Sequence, residues 1–343
     1  MTSLGTLFFR ASSLLALVVL LYPTCYAQSG DNVFDETYAF SPGDELSVAT
    51  SSSDIFLRAG SGNEARVEVF GKGSDVEEGF ERLNFSVERD GRRLVVKTER
   101  EGNGWFSSGN RASFDIVITA PERLALSVAT SSGDVEVRQL EGAMEVATSS
   151  GDLELGSMRG DVSVATSSGD VEADRIEGTV EFSTSSGDFS ADEIRGARVA
   201  FASSSGDFEA DRIDTDRFEA GTSSGDISIE TLLGNAEIST SSGDIEIDSV
   251  EGALAISTSS GDVEAGLAKP GSVEISTGSG GVELTAPSSL AADVAISAGS
   301  IQIDRAFRFA GEIERRSAEG QIGGGGQPMR IQTGSGRVTL SAR

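Results

Sequence analysis

Eight aspartates recur at nearly constant spacing: Asp134, Asp152, Asp170, Asp188, Asp207, Asp226, Asp244 and Asp262. Six are followed two residues later by a glutamate, at Glu136, Glu154, Glu172, Glu209, Glu246 and Glu264. Carboxylates in such a pattern can cap turns, bind a divalent cation or act as an acid–base pair on a glycosidic bond. If the repeats stack in register, like charges lie about 4.8 Å apart and cost about 0.9 kcal/mol per neighbouring pair in water. Salt relieves that repulsion by screening. A calcium ion, about 2.4 Å from its oxygens, could instead bridge adjacent carboxylates. Calcium is therefore the one cofactor the residues suggest, although the motif is not the nine-residue Gly-Gly-x-Gly-x-Asp calcium repeat. Solvated, turn-capping aspartates are the simpler reading. Glycoside hydrolysis also uses paired carboxylates, but Trp105 and Tyr38 lie outside the repeat and its phenylalanines occupy apolar-face positions. No aromatic platform for a sugar follows, and no catalytic residues are assigned.

The rest of the composition narrows the chemistry. The 343 residues include no histidine and one cysteine, Cys25, which excludes imidazole bases, His-activated nucleophiles, disulfide frameworks and ordinary zinc or iron–sulfur sites. With 27 basic and 55 acidic residues the formal net charge is −28, which opposes nucleic acid and anionic lipid surfaces. The glycine run Gly323 to Gly326 lacks the Lys and Ser or Thr of a phosphate loop and reads as a corner.

The elements that must position the aspartates are set by a repeat. Each Asp follows Ser-Ser-Gly or its equivalent, with the glycine at Gly133, Gly151, Gly169, Gly187, Gly206, Gly225, Gly243 and Gly261, spaced by 18 or 19 residues. Within one unit, Val162 and Val164, then Val171 and Ala173, alternate with polar residues and Ile176 follows, the pattern of two short strands with one buried face. Glycine is expected at both corners for its access to positive φ, with the Asp bonding local amides. Thr148, Thr166, Thr184, Thr222, Thr240 and Thr258 recur beside the corner and would stack as hydroxyl ladders. A fixed coil length with the same face apolar in every copy predicts an all-β, single-stranded, right-handed parallel β-helix, or β-solenoid, of about 18 residues per coil. The rival left-handed hexapeptide helix fails because positions six apart from Val164 are Asp170 and Ile176, which cannot all face inward.

Roughly twelve coils would give a core on the order of 55 Å long, with Phe182, Phe189, Phe201 and Phe208 in neighbouring coils. The expected organisation is residues 1–27 as a signal peptide, 28–54 as a first strand and outlying repeat copy, and 55–127 as a β-sheet cap or insertion. Residues 128–303 form the regular repeats, and 304–343 the irregular C-terminal coils and cap. Within the cap, Arg66–Phe70, Leu83–Arg89, Arg93–Thr98 and Ser113–Thr119 read as longer strands, with Asp90-Gly91 as a hairpin turn. The loop from Gly102 to Asn110 carries the lone Trp105.

Residues 1–27 hold a single Arg10, no acid, an apolar run from Leu14 to Leu21 and then Pro23, with small residues at Cys25 and Ala27. This predicts export with cleavage after Ala27, the apolar run being far shorter than the roughly 20 residues of a membrane span. The mature chain is expected to have no transmembrane span and to reside in the periplasm, on the outer surface or outside the cell.

The β region ending in Ile118-Thr-Ala-Pro121-Glu122, followed by repeated Val-Ala-Thr-Ser-Ser-Gly-Asp-Val-Glu copies, resembles the bacterial putative-adhesin family of β-strand-repeat domains, including its head-GIN type. The resemblance spans about Asp44 to Arg343. It implies a right-handed β-helical envelope or cell-surface protein without established catalysis, and it supplies no site residues. The reading is an exported, non-enzymatic, adhesin-like interaction or structural module whose partners would be a glycan, a surface polymer or an envelope protein. The alternatives are a calcium-binding Asp ladder and, less favoured, a polysaccharide-acting enzyme.

Overall fold

A computed structural model of the chain describes residues 30–99 and 112–343. The signal-peptide segment with Arg10, Cys25 and Ala27, and the Trp105 loop, lie outside the described residues.

The coil predicted from the repeat is built as two strands and two corners. In one copy, strand Val162–Ala165 and strand Val171–Glu177 flank the corner Thr166 to Asp170. Val162, Val164, Val171, Ala173 and Ile176 are buried, whereas Ser163, Glu172, Asp174 and Arg175 are exposed. The two consecutive outward residues, Asp174 and Arg175, bend the strand so that Ile176 still reaches the core. Each strand then pairs in parallel with the same strand of the next coil: Val162 opposite Val180, Val171 opposite Phe189, Ile176 opposite Ile194. The parallel register sets inward opposite inward positions across 18-residue steps, as Val171 with Phe189, and across 19-residue steps, as Phe189 with Phe208, so the apolar columns are continuous. The core consists of Val, Ile, Leu and Ala columns with a phenylalanine layer in the middle. There Phe182 stacks on Phe201 at 5.6 Å and Phe189 on Phe208 at 5.3 Å between ring centroids. Burying each ring contributes roughly 2–3 kcal/mol.

Both ends of the stack are built against the order of the sequence. At the N-terminal end, strands Glu45–Ala49 and Asp54–Gly60 form a coil that pairs directly with the first regular copy, at Ala125–Ala129 and Val135–Glu141. On its other side that coil pairs in parallel with Arg93–Thr98 and Ser113–Pro121. Residues 54–60 therefore belong to a stacked coil, and the cap proper begins after them. Antiparallel strands close this end: Phe85–Asp90 on Arg93–Thr98 through the Asp90-Gly91 turn, Glu64–Lys72 on Ser113–Pro121, and Asp31–Ala39 on Glu64–Lys72. A helix that the strand alternation did not reveal, Val76–Arg82, carries Phe80 into a cluster with Phe34, Phe85 and Phe114, whose neighbouring rings lie 4.8–6.5 Å apart. This aromatic cluster ties the two closing sheets together over the mouth of the core.

The C-terminal end repeats the device. Strands Gln327–Thr333 and Arg337–Ala342 do not form an irregular tail. They are a regular coil, with Val273 opposite Met329 and Val282 opposite Val338. On the outside it is covered by Ala292–Ser297 and Ser300–Ile303, which precede it in sequence. Strand Ser317–Ile322 then pairs antiparallel with Ala292–Ser297, and Phe309–Ile313 antiparallel with Ser317–Ile322. Gly323, Gly324 and Gly325, with φ of 63°, 94° and 89°, make the turn that returns the chain into the stack. At each end the chain's first or last coil is enclosed between neighbours; antiparallel strands occupy both outer edges at the N-terminal end, and at the C-terminal end the outer edge of Ala292–Ser297, while Ser300–Ile303 pairs only inward with Arg337–Ala342.

Candidate functional site

The predicted site residues lie on one edge of the rod, and the Ser-Ser-Gly-Asp corner places them. Its threonines do not form a ladder with one another. Thr148, Thr166, Thr184, Thr222, Thr240 and Thr258 are buried, and each Oγ1 accepts the amide of the glycine three residues on, at 2.9–3.1 Å. In the coil that lacks the threonine, Ser203 accepts from Gly206 at 2.7 Å. The amide of a tight, buried corner is thereby satisfied within its own coil.

The corner glycines also differ from expectation in their cause. Gly133, Gly151, Gly169, Gly187, Gly206, Gly225, Gly243 and Gly261 are not among the residues with positive φ. A Cβ on Gly169 would stand 2.0 Å from the Gly151 carbonyl oxygen, and one on Gly243 would stand 1.8 Å from that of Gly225. Close approach of successive coils is what requires glycine here. Positive φ is used at the opposite corner, by Gly142, Gly160, Gly234 and Gly252.

With the corners stacked this tightly, the aspartates come into register and bond between coils rather than locally. The Asp152 amide donates to Asp134 Oδ1, Asp170 to Asp152, Asp188 to Asp170, Asp207 to Asp188, Asp226 to Asp207, Asp244 to Asp226 and Asp262 to Asp244, all at 2.7–3.0 Å. The outlying copy joins the ladder, because the Asp134 amide donates to Asp54 Oδ1 at 3.1 Å, and Asp262 ends it by accepting from Gly281 at 2.7 Å. One oxygen of each carboxylate is thus spent on fixing the next coil. In-register like charges are offset by charge-assisted bonds to backbone amides.

Beside this ladder runs a second outward column, Phe56, Glu136, Glu154, Glu172 and Ser190, with each residue opposite the next across the parallel pairing. Between the two columns, from Asp54 to Asp188, lies an open groove of about 620 Å³. Burial in this wall raises the Glu154 carboxyl above its ordinary pKa, and the flanking Glu136 and Glu172 raise it further. Glu264 is raised in the same way, by burial and then by Glu283 and Glu246. Burial likewise raises Asp54, only partly offset by the bond from the Asp134 amide. At the N-terminal end the Asp column continues into Asp115, 3% exposed and opposite Asp54, which is neutralised by Lys72 at 2.6 Å. Neither Lys72 nor Asp115 could be assigned from spacing, since the pair forms only when Glu64–Lys72 folds back on Ser113–Pro121.

The edge presents regular acidic rows that can attract cationic or cation-bridged groups. Among the described residues no cluster of three or more carboxylates is arranged to hold a single metal ion, and no helix is long and apolar enough to cross a membrane.

Comparison with known proteins gives a family and a set of distant architectures. No curated protein matches the chain. Among solved structures, a "putative lipid binding protein" from Parabacteroides distasonis ATCC 8503 is 19% identical, covers 74% of this chain and 98% of its own, and has a TM-score of 0.44. A "putative adhesin" from Parabacteroides merdae ATCC 43184 is 11% identical over 89% of this chain and 95% of its own, with a TM-score of 0.36. A second "putative adhesin", from Bacteroides fragilis NCTC 9343, is 12% identical over 91% and 98%, with a TM-score of 0.34. The Toastrack DUF4097 profile matches twice, over residues 43–180 and 176–341, so nearly every stacked coil described above falls within it and the chain belongs to the Toastrack DUF4097 family.

Proposed function

We propose that this chain is exported and serves, without catalysis, as an adhesin-like interaction module of the cell surface or envelope, with the acidic edge of its solenoid as the binding surface. The observation that carries the reading is the pair of acidic columns held in register by the inter-coil Asp ladder, from Asp134–Asp54 at 3.1 Å to Gly281–Asp262 at 2.7 Å. A backbone fixed at every coil presents the same charge at about 4.8 Å intervals, which suits a partner that is itself repetitive. Such partners are surface polymers, cation-bridged glycans and envelope proteins with basic faces. Export is supported by the apolar run Leu14 to Leu21 and the small residues before position 28. A non-catalytic role is supported by the equivalence of the acids along the Asp ladder, where each makes the same inter-coil bond and no single acid–base pair is set apart from its neighbours. The coil is taken as right-handed because a six-residue inward repeat is absent.

The test combines cell fractionation with binding of the mature chain to an array of surface glycans and basic envelope proteins, in calcium and in chelator. The expected result is a mature chain in the envelope or medium, with binding lost in the triple variant Glu136→Gln, Glu154→Gln, Glu172→Gln. A cytosolic chain, or binding indifferent to those three substitutions, overturns the reading.

A further inference from the structure

The groove along the acidic edge is not uniform from end to end. Over the regular coils its walls are the carboxylates of the two columns, but its N-terminal end is lined by Phe56, Lys72 and Asp115 as well as Asp54. Phe56 stands where the next three coils carry Glu136, Glu154 and Glu172. It is half-buried on the outward side of its strand and lies outside the apolar core, and its ring meets no other ring among the described residues. No ring contact within the fold accounts for an aromatic residue at this position.

Asp115 departs from the pattern of the edge in a second way. Its side chain is 4% exposed, and it lies opposite Asp54 in the parallel pairing of Asp54–Gly60 with Ser113–Pro121, two positions along from the pair of Phe56 with Val117. Its Oδ2 meets the Lys72 ammonium at 2.6 Å, whereas its Oδ1 has no partner among the described residues. A buried carboxylate oxygen without a donor is costly, and such atoms are nearly always satisfied. Lys72 is 40% exposed and carries three donor hydrogens, of which Asp115 occupies one. The end of the groove therefore offers a free acceptor, free donors and an apolar ring within the span of two coils.

These groups together select one class of ligand. An anion would meet Lys72 but would be repelled by Asp54, Asp134 and Glu136, which line the same end. A cation would suit those walls but would stand against the Lys72 ammonium. A neutral hydroxyl escapes both penalties, because it donates a hydrogen bond to Asp115 Oδ1 and accepts one from Lys72 Nζ. The C–H face of a pyranose ring also covers an aromatic ring, which removes apolar surface of both from water. We propose that the N-terminal end of the groove binds a neutral hexopyranose unit of a polysaccharide, with Phe56 as stacking platform, Asp115 as acceptor and Lys72 as donor. The proposal rests on the acidic edge being the binding surface, and it supplies from the outlying copy the aromatic platform that the regular repeats lack. The groove, at about 620 Å³, has room for the sugar and for neighbouring units running past Glu136 and Asp152.

The test is affinity electrophoresis of the full chain in native gels cast with dextran, mannan or galactan as neutral probes, with polygalacturonate as the anionic probe and polylysine as the cationic one. At least one neutral polysaccharide should retard the chain, and polygalacturonate should not. Phe56→Ala should weaken that retardation by about tenfold or more, whereas Phe56→Tyr, which keeps the platform, should stay within about threefold of the parent. Lys72→Met should also weaken it by about tenfold. Arg159→Ala, outside the groove, should leave it unchanged. Should Lys72→Met fail to fold by circular dichroism, Phe56→Ala decides, since Phe56 lies outside the core. No retardation by any neutral polysaccharide, or retardation indifferent to Phe56→Ala, overturns the proposal. Binding to polylysine that is lost in the triple variant of Glu136, Glu154 and Glu172, with no neutral polysaccharide bound, overturns the sugar site and leaves the acidic edge as the binding surface.

Discussion

The repeat array and the N-terminal cap are both β-structures rich in carboxylates, yet they spend those carboxylates in opposite ways. In the array each aspartate is exposed and bonds a backbone amide of the next coil, so the same modest bond is made at every level. In the cap, Asp44 is 2% exposed and gathers three different donors: the Arg92 Nε and Arg89 Nη2, both at 2.8 Å, and the Ser41 amide at 3.0 Å. Regular stacking distributes stability over many weak, interchangeable contacts. Closing an end of the stack concentrates it in a few contacts that cannot be exchanged.

The sharpest way to break this contrast is to disturb what makes the array regular. A Cβ at Gly169 would meet the Gly151 carbonyl at 2.0 Å, whereas at Gly221, also in the array, the nearest atom is Ser239 Oγ at 3.4 Å and φ is not positive. Gly169→Ala should cost about 3 kcal/mol by forcing two coils apart. Gly221→Ala should be neutral or stabilise by up to about 1 kcal/mol through the unfolded chain. Chemical denaturation of the two variants checks this. Equal effects would show that close stacking is not what selects glycine at the corner.

The second test falls on the cap and has a pH signature. The bond from Arg92, followed by those from Ser41 and Arg89, lowers the Asp44 carboxyl to about 2. A folded value below the unfolded one, about 3.9, means that its stabilisation is complete above about pH 4 and is lost as the pH falls toward 2. Asp44→Asn should cost about 2 kcal/mol at neutral pH and flatten the acid limb of the stability curve between those values. Glu154 is raised, so its ionisation opposes folding and its contribution runs the other way: present at low pH and lost as the pH rises through its folded value. An acid limb in Asp44→Asn identical to that of the parent chain would remove Asp44 as the anchor of the cap.

How much of this could be read from the residues divides along the same line. The 18-residue period, the two strands, the Asp and Thr columns and the phenylalanine layer were all legible, because a repeat restates its own geometry eight times. What the repeat could not show was the partner of each group. Thr166 and Asp170 sit four residues apart in one corner, yet one bonds its own coil and the other the next, a distinction made by the stacking distance and invisible to spacing. The corner glycines carried the correct position and the wrong reason for the same cause. At the ends, where no period exists, the order of coils was not legible at all. Residues 327–342 look like a tail and yet lie between 273–286 and 292–303, since only the pairing of edges decides where they fit.

The smallest expected effect separates hydrogen bonding from charge within the ladder. Asp170 accepts the Asp188 amide at 2.9 Å and donates its own to Asp152 at 3.0 Å. Asp170→Ala removes the acceptor and should cost about 1 kcal/mol. Asp170→Asn keeps an Oδ1 for the Asp188 amide and removes one like charge from the column, so its cost should be within about 0.5 kcal/mol, with a gain at low ionic strength that fades as salt screens the neighbours. The parent chain should correspondingly melt at a higher temperature as sodium chloride is raised. If Asn and Ala behave alike, the inter-coil bond contributes nothing and only the charge matters. If neither responds to salt, the column does not stack in register, and the contrast between array and cap rests on the cap alone.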